Sequence, residues 1–296
     1  MFPAAEQETI DRLLTAERWD ATAATAVLRA ADWPYREYAA ILQAAWAANR
    51  APPAGSAALK VLALGPGADW RERLLPRGED YDGFMAKRVL DQLSSAGGRL
   101  LVYCGAHHAF TRYYQPELPR EQRVEAFMDR LGNRLWRARG EDVFLVTLHR
   151  PVRCRTGKVW EACLPVGGAV DCAASSFGRP VGFDVAGSPF AELRFSADTY
   201  YAMGYPSLRL GDITDWYVWT RPIEAYEGMS VIPLAEYAPD AKTLEETRQR
   251  NPFSDQRRVG DQVLAGLWRT EEDEQKSFPA SRGWQRLLGW RERCGR

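Results

Sequence analysis

The sequence contains three histidines, and each lies just after a short apolar run. His107 and His108 follow the run 99–104, and His149 follows the run 142–148. Such runs are typical of buried strands, and ligands of an open parallel sheet bind beyond the carboxyl ends of its strands. Because neutral imidazole binds transition metals and acts as a general base near neutral pH, this spacing predicts a metal or catalytic site at one sheet edge.

Carboxylates lie at the same predicted edge, where they would complete a metal site or orient the imidazole rings. Asp69 follows the run 59–64, and Asp80 and Asp82 open the next predicted helix. Asp80 also suits a helix cap, because a side-chain oxygen there accepts from free backbone N–H groups.

Two overlapping sets of site residues follow from these placements. The predicted catalytic residues are His108, His107 and Asp82, and the predicted metal ligands are His108, His149 and Asp82. The metal would be a divalent transition ion. The alternative for each histidine is a structural hydrogen bond.

The cysteines offer no comparable site. Cys154, Cys163 and Cys172 are nine residues apart, which is no known metal-ligand spacing, and the sequence has no CxxC, GxSxG, GxGxxG or Walker motif. Five cysteines is an odd number in a long chain, which predicts reduced thiols rather than a disulfide framework. Cys104 lies in a predicted strand, where it would be a small buried hydrophobic residue.

The order of the predicted elements favours an α/β fold with a mostly parallel sheet sandwiched by helices. Apolar runs at 59–64, 99–104 and 142–148 alternate with amphipathic helices at 80–94 and 119–139, an order that requires crossover connections. Further predicted elements are helices at 6–14, 21–30 and 32–49 and strands at 181–184 and 215–219.

Composition divides the chain into three predicted parts. Residues 1–56 form helices that pack on the core, and residues 57–240 form the α/β core with an irregular Gly/Cys-rich insertion at 151–190. Residues 241–296 form a charged helical extension.

The overall composition excludes several classes of protein. With 39 Lys plus Arg against 39 Asp plus Glu, the chain of 296 residues lacks the basic excess of a dedicated nucleic-acid binder. No apolar run reaches the ~18 residues of a membrane span. The N-terminal sequence shows no basic and apolar signal segment. We therefore expect a cytoplasmic protein with a small-molecule ligand or substrate, and no nucleic-acid or membrane partner.

Four segments, LGPGADW, DYDGFMAKRVLDQL, LLVYCGAHHAFTRY and RLGNRLWRARGEDVFLVTLH, occur in this order within residues 59–149. Together they resemble the erythromycin-esterase-like and ChaN-like superfamily, which includes haem-uptake and Tiki/TraB proteins. Tyr81 to Ala86 is similar to the family's Arg-Asp-x-x-Met-Ala helix, and Gly105 to His108 is similar to its Gly-x-x-His. A weaker likeness covers residues 215–222.

The resemblance implies an α/β sandwich that hydrolyses esters or peptides, or that binds haem or a metal. The family's first strand normally carries Gly-Glu-x-His, whereas no histidine precedes His107 here. The chain is therefore expected either to start late or to be a divergent member that lacks half the site.

Two functions remain open at this point. One is a metal-assisted hydrolase of ester or amide bonds, and the other is a non-catalytic protein of the same fold that binds a small ligand, haem or a metal. A missing strand would expose a hydrophobic sheet edge, which proteins normally cover. We therefore expect either a homodimer or cover by the helices of residues 1–50.

Overall fold

Helices outnumber strands in the computed structural model, which describes residues 2–31, 35–52, 54–55, 57–66, 80–117, 124–156, 159–221 and 230–250. The helices are α1 (Gln7–Thr15), α2 (Ala21–Ala30), α3 (Arg36–Arg50), α4 (Tyr81–Ala96), α5 (Ala106–Ala109), α6 (Leu131–Arg139), α7 (Ala169–Ser175), α8 (Leu210–Ile213), α9 (Leu234–Tyr237) and α10 (Ala241–Arg250). The strands are β1 (Gln115–Glu117), β2 (Ala126–Met128), β3 (Val146–Leu148), β4 (Val152–Thr156), β5 (Val159–Cys163), β6 (Val181–Asp184) and β7 (Trp216–Trp219).

These elements belong to two compact units. The described parts of 1–95 and 228–277 form the first unit, and the described part of 96–227 lies in the second. The three predicted parts, with boundaries at 56 and 240, remain a prediction.

The first three helices pack around one apolar core, which confirms the helices predicted from their amphipathic pattern. Ile10, Leu13, Val27 and Leu42 are fully or almost fully buried in it. The Asp20 carboxylate caps α2 by accepting from the Ala23 N–H at 2.9 Å. The predicted start of α3 at 32–34 lies outside the described residues.

The run 59–64 was predicted to be a sheet strand, and the structure corrects this. The segment is extended, but side-chain amides from helices take the place of a neighbouring strand. The Asn49 amide donates to the Leu59 carbonyl at 3.0 Å and accepts from the Leu59 N–H at 2.7 Å. The Gln7 amide donates to the Val61 carbonyl and accepts from the Ala63 N–H, both at 2.8 Å.

The end of this segment pairs with the N-terminal residues. The Gly65 N–H donates to the Phe2 carbonyl at 2.8 Å, and the Ala4 N–H donates to the Gly65 carbonyl at 2.6 Å. We call residues 59–65 the capped segment, because helices and the N-terminal residues satisfy one of its two edges.

Later residues close the first unit over α2 and α3. The Tyr237 hydroxyl donates to the Leu28 carbonyl at 3.2 Å, and Arg29 donates to the Tyr237 carbonyl at 2.7 Å. Arg36 and Glu236 form an ion pair at 2.8 Å. Contacts across some 200 residues of sequence therefore complete this unit.

Helix α4 follows its prediction closely. The Asp80 carboxylate accepts from the Gly83 N–H at 2.7 Å, as expected for a cap. Asp82 is 5% exposed and shares the buried face with Met85 and Val89.

The second unit contains a three-stranded sheet in the order β3-β7-β6. Strands β3 and β7 are parallel, and β7 and β6 are antiparallel. Tyr217 and Trp219 point to the core face and are 2% exposed, whereas Val146 and Leu148 of β3 are 41% and 48% exposed on the other face. The predicted strands at 181–184 and 215–219 are thus confirmed in substance.

A mixed α/β fold is present, but the mostly parallel sheet is not confirmed. Within the described ranges, the parallel pairing between named strands is that of β3 with β7. The predicted strand at 99–104 joins none of the described sheets, and Leu101 there is 92% exposed.

The single helix predicted over 119–139 is wrong at residues 124–130, and residues 119–123 lie outside the described residues. Strand β2 pairs antiparallel with β1, and Phe127 is 46% exposed rather than inward. Helix α6 begins at Leu131, because the Asn133 side chain accepts from the Arg130 N–H at 2.9 Å and fixes a helix start there.

The expectation of reduced thiols is also corrected. Cys154 and Cys163 form a disulfide that joins β4 and β5, with their Cα atoms 5.9 Å apart, and Cys172 is disulfide-bonded too. Cys104 is only partly buried. No helix in the described ranges is both long and apolar enough to cross a membrane.

Candidate functional site

His149 lies in the core at the end of β3, with 3% of its surface exposed. Its backbone N–H donates to the Val218 carbonyl at 2.7 Å, which continues the β3–β7 pairing. Its ring Nδ1 lies 2.8 Å from the Tyr217 hydroxyl, and its Nε2 lies 2.8 Å from Asp171 Oδ1. In the neutral ring, Nε2–H donates to the carboxylate and Nδ1 accepts from the hydroxyl.

This Tyr217–His149–Asp171 chain connects two strands and a helix. The Asp171 carboxylate sits in the first turn of α7, and its Oδ2 is buried without a hydrogen-bond partner in the part of the chain that the structure describes. Both ring nitrogens of His149 are occupied, so a metal at His149 would have to displace the tyrosine or the aspartate.

A turn with an unusual backbone conformation positions Asp171 beside His149. Val166, Gly167 and Gly168 have φ values of 47°, 64° and 78°, all in the left-handed region. A β-branched residue such as Val166 rarely adopts this conformation. Val166 is 7% exposed, so core packing holds the strained turn that leads into α7.

His107 lies at the surface on α5, against two tyrosines. Its ring is nearly parallel to that of Tyr200, with centroids 6.0 Å apart and planes at 21°. It meets Tyr201 edge-on at 5.9 Å. These rings form one aromatic surface, and we call His107, Tyr200, Tyr201 and Arg150 the His107 cluster.

The two tyrosines are held in place from behind. The Tyr200 hydroxyl donates to the Pro116 carbonyl at 2.9 Å and accepts from the Gln115 amide at 2.8 Å. The Tyr201 carbonyl accepts from the Tyr113 hydroxyl at 2.8 Å. Because these anchors are buried or half-buried, the aromatic surface is preorganised.

Arginines surround His107. Arg150 directly follows His149, is exposed and donates to the Tyr201 hydroxyl. Burial of the His107 ring, and then the positive charges of Arg150, Arg130, His108 and Arg153, lower its pKa to about 4. The imidazole is therefore neutral at pH 7, and guanidinium groups supply the local positive charge.

Among the described residues, neither Arg150 nor Arg153 forms an ion pair with an acidic side chain. A guanidinium binds carboxylate or phosphate oxygens with two parallel hydrogen bonds. The cluster thus combines an exposed guanidinium with the stacked rings of His107 and Tyr200, while Tyr201 is 5% exposed and lies edge-on to His107.

The predicted site residues are distributed over both units. His107, His108 and His149 lie in the second unit, and Asp82 lies in the first. Over the described residues, no group of three or more His, Cys, Asp or Glu side chains is placed to hold a metal. The predicted catalytic and metal-binding sets remain predictions, and Asp69 lies outside the described residues.

Sequence reasoning found the histidines but missed their partners. Asp171, Arg150, Tyr200 and Tyr201 belong to loops and short helices without a motif. Tyr217 had an indication in the sequence, because the alternation in 215–219 places it on the inward face of a strand.

Comparison with known proteins gave no matching family model, no matching curated protein and no matching solved structure. The resemblance to the erythromycin-esterase-like and ChaN-like superfamily therefore remains a prediction from the sequence.

Proposed function

We propose that the protein binds a small planar organic anion at the His107 cluster. The observation that carries this proposal is the exposed Arg150 guanidinium, which lies beside preorganised aromatic rings and has no ion-pair partner in the described residues. The anionic group would bind Arg150, and the planar part would lie against the rings of the cluster.

The electrostatics of His107 support this arrangement. Arg150, Arg130 and Arg153 all act on the same imidazole, so their positive potentials overlap there. An anion placed in this space would offset the positive charges of Arg150 and Arg153. A neutral His107 offers its ring face and a hydrogen bond without adding another charge to desolvate.

This proposal is the binding alternative predicted from the sequence. A metal-assisted hydrolase would need several side chains that bind one metal ion. Among the described residues, no three His, Cys, Asp or Glu side chains are placed to do so. Haem is a planar dicarboxylate and is therefore a planar organic anion of the proposed kind. It is included as a second ligand in the binding experiment.

Two finer predictions accompany the proposal. The first is a mostly parallel sheet sandwiched by helices. The second is a cytoplasmic location, against which the Cys154–Cys163 disulfide counts, because disulfides persist mainly in oxidising compartments.

The test is calorimetric titration of the full chain with 2-naphthoate, with neutral 2-naphthylmethanol as the uncharged analogue and haem followed by its absorbance. We expect 2-naphthoate to bind and 2-naphthylmethanol to bind at least tenfold more weakly. Arg150→Gln should weaken 2-naphthoate binding about 10- to 100-fold, as expected when a charged hydrogen-bond partner is lost.

Arg179→Gln is the matched control, because Arg179 is an exposed arginine in the same unit. It should leave the affinity unchanged. The proposal is wrong if neither 2-naphthoate nor haem binds, or if both variants weaken binding equally.

A further inference from the structure

The Cys154–Cys163 disulfide lies in a hairpin that is bonded to the chain segment bearing Tyr200 and Tyr201. Strands β4 and β5 pair antiparallel, with Val152 opposite Cys163 and Cys154 opposite Glu161. The two cysteines are therefore diagonal neighbours on one face of the hairpin. Cys163 packs against the apolar core of the second unit, so this face points inward.

Strand β4 is bonded on both of its edges. Cys154 pairs with Glu161 of β5 and also, antiparallel, with Thr199. Next to this second pairing, the Arg155 N–H donates to the Asp198 carbonyl at 2.8 Å. The residues that precede the cluster's tyrosines are thus held by the backbone of β4.

Thr199 passes this position on to the aromatic rings. It is 3% exposed and starts the short 3-10 turn Tyr200–Ala202, and its carbonyl accepts from the Ala202 N–H at 2.9 Å. Because the turn begins at the residue paired with Cys154, a shift of β4 moves the backbone that carries two of the cluster's rings.

The hairpin itself is short. Its strands have five residues each, and they form a two-stranded sheet in the part of the chain that the structure describes. A two-stranded hairpin of this kind is marginally stable by itself in water. Without the cross-link, β4 would therefore open locally more often than the rest of the unit.

We propose that the Cys154–Cys163 disulfide holds Tyr200 and Tyr201 in place for ligand binding, so that its reduction weakens anion binding at the His107 cluster. This inference rests on the proposed function and adds a means of its regulation. Arg153, which precedes Cys154, is one of the positive charges that lower the pKa of His107. The hairpin therefore also positions charge at the cluster.

Reduction requires a thiol reductant, for which dithiothreitol serves as the probe. One of its thiolates attacks a cysteine sulfur and breaks the S–S bond, and its second thiol then displaces that cysteine from the mixed disulfide. Cys154 and Cys163 become thiols and the reagent becomes a cyclic disulfide, so two electrons and two protons pass to the protein. Both cysteines are only partly buried, which gives the reagent access.

The first test is calorimetric titration with 2-naphthoate of the oxidised natural chain and of the Cys154→Ser/Cys163→Ser double variant. We expect the dissociation constant to be at least tenfold larger for the variant. Binding is weakened rather than abolished, because the bonds of Tyr113 and Gln115 to the two tyrosines remain.

Reversibility separates this disulfide from the one that Cys172 forms. Dithiothreitol should weaken binding by the natural chain, and diamide should restore it as it takes up the two hydrogens and becomes its hydrazine. The double variant should show no further loss of affinity in dithiothreitol.

Hydrogen exchange measures the link without a ligand. The N–H groups of Arg155 and Ala202, which donate to the Asp198 and Thr199 carbonyls, should exchange at least tenfold faster in the double variant. The His149 N–H, which donates to the Val218 carbonyl, should change much less. If serine at Cys163 prevents folding, Cys154→Ala/Cys163→Ala gives the same readouts with apolar side chains.

Val185→Ala is the matched control for a general loss of stability. Val185 is fully buried in the same core, and its backbone bonds to Asp215 and Ser188. This variant should unfold at lower urea concentration than the natural chain but bind 2-naphthoate equally well.

Three results would overturn the inference. These are equal 2-naphthoate affinity of the natural chain and the double variant, exchange at Arg155 and Ala202 that is no faster than at His149, and an equal loss of affinity in Val185→Ala. Failure of the proposed function looks different, because the oxidised natural chain would then bind neither 2-naphthoate nor haem.

Discussion

His107 links the electrostatics of the site to the stability of the fold. Its pKa is about 4 in the folded protein and has the ordinary value of 6.5 when the chain is unfolded. Between these pH values the unfolded chain binds more protons, so this group makes the free energy of unfolding rise with pH. The contribution is complete above the unfolded pKa and is lost as the pH falls toward 4.

We therefore predict that His107→Gln reduces the loss of stability between pH 7 and pH 4.5. The measurement is urea unfolding of both proteins at the two pH values, which cancels the contributions of all other titrating groups. Identical pH dependence in both proteins would show that neither burial nor the neighbouring positive charges lower the pKa of His107. A bound anion would offset the nearby positive charges and raise the pKa of His107.

Tyr217 provides a second prediction at the scale of a residue. Its hydroxyl satisfies His149 Nδ1 in the core, so Tyr217→Phe leaves a buried polar atom without its partner. The expected loss in free energy of unfolding is about 1–3 kcal/mol. Tyr103→Phe, at a side chain 57% exposed, should change stability by no more than about 0.5 kcal/mol. Equal effects of the two changes would contradict the role given to the Tyr217 hydroxyl.

The contact between α5 and α6 depends on a glycine. A Cβ atom at Gly132 would lie 2.3 Å from the Ala109 carbonyl oxygen and 2.4 Å from that of Phe110. Both neighbours are backbone atoms and cannot rotate away. Although alanine favours a helix, we predict that Gly132→Ala lowers the free energy of unfolding by about 1–3 kcal/mol.

Gly105→Ala is the control for this prediction. The nearest atom to its added Cβ is His108 Cδ2 at 3.7 Å, an ordinary contact. Thermal or urea unfolding of both variants provides the comparison. A Gly132→Ala protein as stable as the natural chain would mean that the two helices separate without cost.

Helices could be predicted well from the sequence because their pattern is local. The stripes of α1 and α2 and the Asp80 cap of α4 depend on residues within a few positions of one another. Strands could not be predicted as well, because apolar composition does not show which partner will form hydrogen bonds with the backbone of the strand. In the run 59–64, amides from Gln7 and Asn49 satisfy one edge, and nothing in the run itself indicates them.

The candidate site, too, could be predicted only in part from the sequence. Three rare histidines could be found by counting, but their surroundings depend on distant chain segments. Asp171 reaches His149 through a left-handed turn at Val166 that no propensity predicts. Tyr201 and Arg150 meet across 51 residues of sequence.

At the scale of the whole molecule, the Cys154–Cys163 disulfide predicts a dependence on redox conditions. It closes a loop with a sequence separation of nine residues. The chain-entropy model gives such a loop a stabilisation of about 2–3 kcal/mol. Replacing both cysteines by serine should lower the free energy of unfolding by that amount.

Cys104→Ser is the matched control, since it replaces a cysteine outside the Cys154–Cys163 pair. It should have a much smaller effect. Peptide mapping without reductant should recover residues 154 and 163 in one cross-linked fragment. Free thiols at both positions in protein purified without reductant would contradict the disulfide.

The contacts of Leu28 and Arg29 with Tyr237 have a consequence during synthesis on the ribosome. Translation proceeds at about 5–20 residues per second, so Tyr237 emerges roughly 10–40 s after the helix that it covers. In that interval residues 96–227 of the second unit emerge, while Leu28, fully buried in the finished protein, stays exposed to other nascent chains. The described part of the first unit is begun before that of the second and completed after it, so we expect the first unit to depend more on a chaperone.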